Sequence, residues 1–157
     1  MACMALLLPT PASAQLGRLI ETSQLVPMFN RVCVRNAPTF AARIPAIARA
    51  EKWDELKTSP TAKAGDRGWL VSIKGQPSIV DIGRISGGER CSVNAVGDPN
   101  AIMKALSQIM GTKPATSNGP NRTQVRSWGA SKGRPAISVT SSPGQAMARL
   151  TATAVAK

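Results

Sequence analysis

Residues that commonly perform catalysis are sparse in this sequence. Histidine is missing altogether, which removes the commonest general base and the commonest metal ligand. Ser131-Lys132 lacks the S-x-x-K spacing of a serine–lysine hydrolase, and adjacent residues do not face each other. Asp54 and Glu55 are expected at a helix end, and Asp81 as a solvated residue on the outer face of a strand. The sequence therefore predicts a protein that is not an enzyme and that has no metal site and no cofactor.

The segment from Gly83 to Gly88 is glycine-rich, as phosphate-binding loops are. It reads Gly-Arg-Ile-Ser-Gly-Gly, which has neither the GxGxxG nor the Walker spacing. No helical pattern follows it, so a hairpin turn is the expected structure.

Charge is distributed very unevenly along the chain. The 157 residues contain 20 bases and 8 acids, for a formal net charge of +12. All eight acids lie at or before Asp98, whereas residues 99–157 contain eight bases and no acid. A field of one sign attracts polyanions and concentrates them nearby. The simpler alternative is a basic, soluble surface without a specific partner.

Five residues form a candidate anion-binding patch in this basic half: Arg122, Arg126, Trp128, Lys132 and Arg134. Arg122 and Arg126 have the same parity, which predicts that they project from one face of a strand. Lys132 and Arg134 extend the patch at the tip of the next hairpin, and Trp128 offers a ring for stacking. The alternative is the solvent side of an edge hairpin, where bases prevent aggregation through the edge.

The N-terminus has the features of a secretory signal peptide. An apolar run precedes Ala12-Ser13-Ala14, and small residues at these spacings before Gln15 fit a signal peptidase site. No base precedes the apolar run, which a start codon further upstream would explain. The alternative to export is a cytosolic protein with an apolar N-terminus. We predict a signal peptide over residues 1–14 and a periplasmic or secreted domain over residues 15–157. No segment reaches the ~20 apolar residues that an integral membrane span needs.

The predicted mature chain contains two cysteines, Cys33 and Cys91. In an oxidising compartment, two cysteines in one small domain usually pair, so we predict a disulfide between them. Two buried free thiols are the alternative. A metal site is disfavoured because two thiolates without histidine leave the ligand set incomplete.

The remaining patterns predict an α+β fold. Helical periodicity and capping signals place helices from Ser23 to Val34, from Asn36 to Trp53, and between Asp98 and Gly111. Alternating apolar residues predict two meanders of three strands each, which together form an antiparallel sheet of about six strands. Two or three helices then pack on one face of this sheet. Both halves read as a helix, a Trp-bearing strand and two further strands, but their residue-level similarity is too thin to establish a duplication.

These observations predict an exported, non-enzymatic binding or interaction protein. Its basic C-terminal half is expected to contact an anionic envelope component, either a polymer or a protein. Nucleic acid is not an expected partner of an exported protein. The alternative function is a small hydrolase or transferase that works without histidine.

Overall fold

A computed structural model describes residues 19–57, 62–131 and 133–155 of the chain. Within these ranges the chain forms three α-helices and eight β-strands. The helices are α1 (Thr22–Val32), α2 (Phe40–Ala50) and α3 (Pro99–Met110). The strands are β1 (Asp54–Glu55), β2 (Arg67–Ile73), β3 (Gln76–Ile85), β4 (Gly88–Val96), β5 (Ala115–Asn118), β6 (Gln124–Trp128), β7 (Ala136–Ser141) and β8 (Met147–Val155). No helix in this part of the chain combines the length and the apolarity that crossing a membrane requires.

The eight described strands form one antiparallel sheet in the order β1-β2-β3-β4-β8-β7-β6-β5. Strands β1 to β4 make one meander and β5 to β8 make the other, with α3 as the connection between them. The two meanders join where β4 pairs with β8, from Gly88 opposite Val155 to Val96 opposite Met147. The predicted α+β class with an antiparallel sheet is therefore confirmed, but the sheet has eight strands rather than about six.

The two additional strands, β1 and β5, lie at the two edges of the sheet. Strand β1 has two residues, in a segment where the sequence predicted the end of a helix. Strand β5 has four, in a segment predicted to be a loop. All six residues are exposed, so neither strand carries the apolar alternation by which a strand is recognised.

One face of the sheet forms the core together with the helices. In register across the sheet, Trp69, Val80, Val93, Leu150 and Val139 lie side by side, and all of them are buried. Helix α1 contacts β4, α2 contacts β3 and β4, and α3 contacts β7. We call the opposite side of the sheet the open face, because none of the described helices covers it.

Local capping defines both ends of α3 and the end of α1. The Asp98 carboxylate accepts a hydrogen bond from the Asn100 amide (2.9 Å), and Gly111 ends α3 in the left-handed conformation at φ 69°. The prediction that Asn36 caps the second helix was wrong. Its side-chain amide donates to the carbonyls of Arg31 (3.0 Å) and Val32 (2.8 Å), so it closes the end of α1, and α2 begins only at Phe40.

The predicted disulfide is present between Cys33 and Cys91. Their Cα atoms are 5.5 Å apart, and both residues are fully buried. Cys33 directly follows α1, and Cys91 lies in the middle of β4. The bond therefore fastens the N-terminal helix to a central strand of the sheet.

Candidate functional site

The β5–β6 hairpin is an exposed edge of the sheet with basic residues around it. Every residue of β5 is exposed, and no described strand pairs with its outer side. Four of the described bases lie in or beside the hairpin: Lys113 precedes β5, Arg122 lies in the turn, Arg126 lies in β6, and Arg134 lies in the loop after β6. We call the hairpin with these four bases the basic edge.

The backbone of β5 presents unpaired polar groups outward. The Gly119 amide donates to the Thr123 carbonyl (2.8 Å), which fixes the hydrogen-bonding alternation of the hairpin. Ser117 and Ala115 consequently direct their amide and carbonyl groups toward β6. Thr116 and Asn118 direct theirs away from the sheet, where no described strand receives them.

The turn of this hairpin places an arginine in an unusual conformation. Asn121 and Arg122 have positive φ angles of 55° and 60°, in the left-handed region. The Thr123 amide donates to the Pro120 carbonyl (3.1 Å), so Asn121 and Arg122 are the two central residues of the turn. Two-residue hairpin turns in which both central residues have positive φ favour glycine at the second central position. An arginine there costs ~1–2 kcal/mol, and it holds an exposed guanidinium at the tip of the hairpin.

The bases of the basic edge are not neutralised by the acids of this chain. The described residues include all eight acids, and they form four ion pairs: Arg31–Glu51, Arg67–Glu55, Arg90–Asp81 and Arg149–Asp81. None of these pairs includes a base of the basic edge. Arg149 belongs to the basic C-terminal half but is paired with Asp81 on the open face.

The structure separates the five residues of the predicted patch. Trp128 is only 3% exposed, and its Nε1 donates to the Thr112 carbonyl (3.0 Å), so its ring is a core residue that no ligand can stack on. The expectation that Arg122 and Arg126 share one strand face was also wrong, because Arg122 lies in the turn. Arg126 is half-buried on the helix side of β6, with its Nε buried and unbonded. Arg134 is exposed, and Lys132 lies outside the described residues.

Sequence reasoning missed Lys113 and the β5 edge itself. Lys113 is exposed in the short segment between α3 and β5, and its role depends on β5 being a strand.

Asp81 lies at the centre of the open face, where it is bonded rather than solvated as predicted. One oxygen, Oδ1, accepts hydrogen bonds from Arg90 and from Arg149 (2.9 Å to Nη2), and Oδ2 accepts one from Asn94 (2.7 Å). The Asp81 side chain is 18% exposed. This cluster joins β3, β4 and β8.

Two shallow grooves flank Trp53 at the β1 edge of the sheet. Their volumes are about 400 and 450 Å³, and both reach Val71 and Ser72 of β2. Both also reach Glu51, whose carboxylate accepts two hydrogen bonds from Arg31, one of them from Nη2 to Oε2 at 3.2 Å. These hydrogen bonds hold the pKa of Glu51 below its ordinary value. In the ranges that the structure describes, no three His, Cys, Asp or Glu side chains come together as a metal site would require.

Comparison with other proteins does not add a functional assignment. No protein-family model matches the chain, and neither a curated protein nor a solved structure does so. The geometry of the molecule itself therefore carries the functional argument.

Proposed function

We propose that this protein is an exported, non-enzymatic binding protein that holds an anionic partner at its basic edge. One observation carries the proposal: four bases without acidic partners surround a fully exposed edge strand. Such an arrangement attracts carboxylate, phosphate or sulfate groups and retains them by charge-assisted hydrogen bonds.

Export is supported by the covalent framework of the domain. A buried disulfide between Cys33 and Cys91 suits a periplasmic or secreted protein, because reducing compartments keep thiols free. The predicted signal peptide lies outside the described residues, so its support is the Ala12-Ser13-Ala14 sequence before Gln15.

The charges alone give only modest affinity for a small ligand. Each exposed ion pair contributes ~0.2–1 kcal/mol, so the three exposed bases of the basic edge supply about 1–3 kcal/mol. Micromolar binding requires about 8 kcal/mol. An anionic partner of useful affinity therefore has to be a polymer that releases many counterions, or it has to make further contacts beside the bases.

The proposal is tested by two variants that carry the same change in net charge. The edge variant, Lys113→Gln/Arg122→Gln/Arg134→Gln, removes the three exposed bases of the basic edge. The control variant, Arg35→Gln/Arg43→Gln/Arg49→Gln, removes three exposed bases on or beside α2, which packs against β3 and β4 in the other meander.

Binding of both variants to heparin at low salt is compared with that of the wild type. The proposal predicts a loss of at least about tenfold in the edge variant and a change of less than about threefold in the control variant. Equal losses in the two variants would show that heparin responds to net charge alone, and the proposal would be wrong. Circular dichroism spectra of all three proteins check that the fold is retained.

A further inference from the structure

We infer that the anionic partner is an acidic polypeptide segment that adds to β5 as a ninth strand of the sheet. This inference rests on the proposed function and names the class of partner that the basic edge accepts. Strand addition uses main-chain hydrogen bonds for affinity and side chains for specificity.

The first support is the free backbone of β5. Thr116 and Asn118 direct two amides and two carbonyls outward, and all four residues of the strand are exposed. Natural edge strands are often blocked by a proline, by an inward-pointing charge or by a covering loop. The four residues Ala-Thr-Ser-Asn contain neither proline nor charge, and none of the described segments covers their outer side. An extended segment therefore finds a complete set of partners for about four hydrogen bonds.

The second support is the charge around this backbone. Exposed bases flank the strand, with Lys113 before its first residue and Arg122 in the turn that follows it. Arg126 is in register with Thr116, which places it one strand further in on the same face. A glutamate opposite Thr116 would thus face a guanidinium across a small side chain. The bases select acidic segments among the many chains that could pair with an open edge.

The same charges disfavour a second copy of this protein as the occupant. Pairing of two β5 strands would bring the uncompensated bases of both copies together, and like charges on neighbouring strands are destabilising. Anionic polysaccharides satisfy the charges but offer no strand of amides and carbonyls to Thr116 and Asn118. An acidic polypeptide is the class that satisfies both features of the edge.

The experiment uses the purified protein, a fluorescent ten-residue peptide that alternates Glu and Thr, and heparin as the polyanion without a peptide backbone. Two variants keep every base: Thr116→Pro removes one outward amide, and Thr116→Ala keeps it. Proline is tolerated at edge positions whose amide faces solvent, so the fold is expected to survive. We expect the peptide Kd to rise at least about tenfold in Thr116→Pro and to stay within about twofold in Thr116→Ala. Heparin binding should remain unchanged in both.

Amide hydrogen exchange in the wild type gives a second readout that does not depend on any variant. On addition of the peptide, the Thr116 and Asn118 amides should become protected, whereas the Ser117 amide is already bonded within the sheet. Peptide binding without this protection, or with full affinity in a folded Thr116→Pro protein, would overturn strand addition and leave the proposed function intact. Binding of heparin but not of the peptide would also overturn strand addition and leave the proposed function intact. Failure of both probes to bind would overturn the proposed function and the inference with it.

Discussion

Breaking the Cys33–Cys91 bond is expected to destabilise the protein by about 4 kcal/mol. The two cysteines are 58 residues apart in sequence, and the bond closes a loop of that length in the unfolded chain. The chain-entropy relation for a loop of this size gives ~14 cal/mol/K, or about 4 kcal/mol at 25 °C. Marginal stabilities of ~5–15 kcal/mol are typical of single domains, so this one bond accounts for a large share of the total.

Urea unfolding of oxidised and reduced wild type isolates the contribution of the bond, because both sulfur atoms stay in place. The Cys33→Ala/Cys91→Ala variant provides the comparison that cannot reoxidise. It should lose somewhat more stability than the reduced protein, since both residues are 0% exposed and truncation leaves a cavity. The m-value should rise in both cases because the unlinked unfolded chain exposes more surface.

A loss of unfolding free energy below ~1 kcal/mol in both the reduced wild type and the double alanine variant would contradict the expected contribution of the disulfide. It would mean that the attachment of α1 to β4 is maintained by packing alone. Equal m-values for oxidised and reduced protein would further indicate that the unfolded chain is already compact without the bond.

Three further perturbations have defined outcomes. Leu150→Ala in the core should lower the unfolding free energy by ~2–5 kcal/mol in urea titrations, whereas Leu70→Ala on the open face, where Leu70 is 40% exposed, should cost less than ~1 kcal/mol. Arg122→Gly should raise the thermal midpoint, with a gain of ~1 kcal/mol from relief of the left-handed conformation, and should weaken heparin binding; a lower midpoint would contradict the turn geometry. Glu51→Gln should cost a few tenths to ~1 kcal/mol at neutral pH, because the Arg31–Glu51 pair is partly exposed. The pKa of Glu51 is lowered in the folded state. The stabilisation by its ionised carboxylate is therefore fully present above the unfolded-state pKa and is lost as the pH falls through the folded-state pKa. The unfolding free energies of wild type and variant should consequently converge in acid.

Sequence patterns predicted those helices and strands whose structure is determined by interactions within the segment itself. Helix α3 carries its cap, its first-turn proline and its terminal glycine within the segment itself, and all three act as predicted. Alternation of apolar residues likewise identified β2 to β4, since one face of each of these strands is buried. Strands β1 and β5 have no buried face, so only their pairing with β2 and β6 defines them.

The candidate site was predicted less well because its geometry depends on distant residues. The burial of Trp128 follows from its contact with the segment after α3, which no pattern within β6 reveals. The partners of Asp81 come from β4 and β8, up to 68 residues away in sequence. Charge asymmetry was visible in the sequence, but the position of four of these bases at one edge of the sheet required the sheet order.

The salt dependence of heparin binding shows whether anions bind at the basic edge. For the wild type and for the edge and control variants, the logarithm of the binding constant is plotted against the logarithm of the salt concentration. If the basic edge is the binding site, the edge variant should have a slope shallower by ~2–3 than the wild type, because three fewer bases release counterions. The control variant should keep the wild-type slope. Identical slopes in the wild type and the edge variant would show that the anion lies elsewhere on the protein.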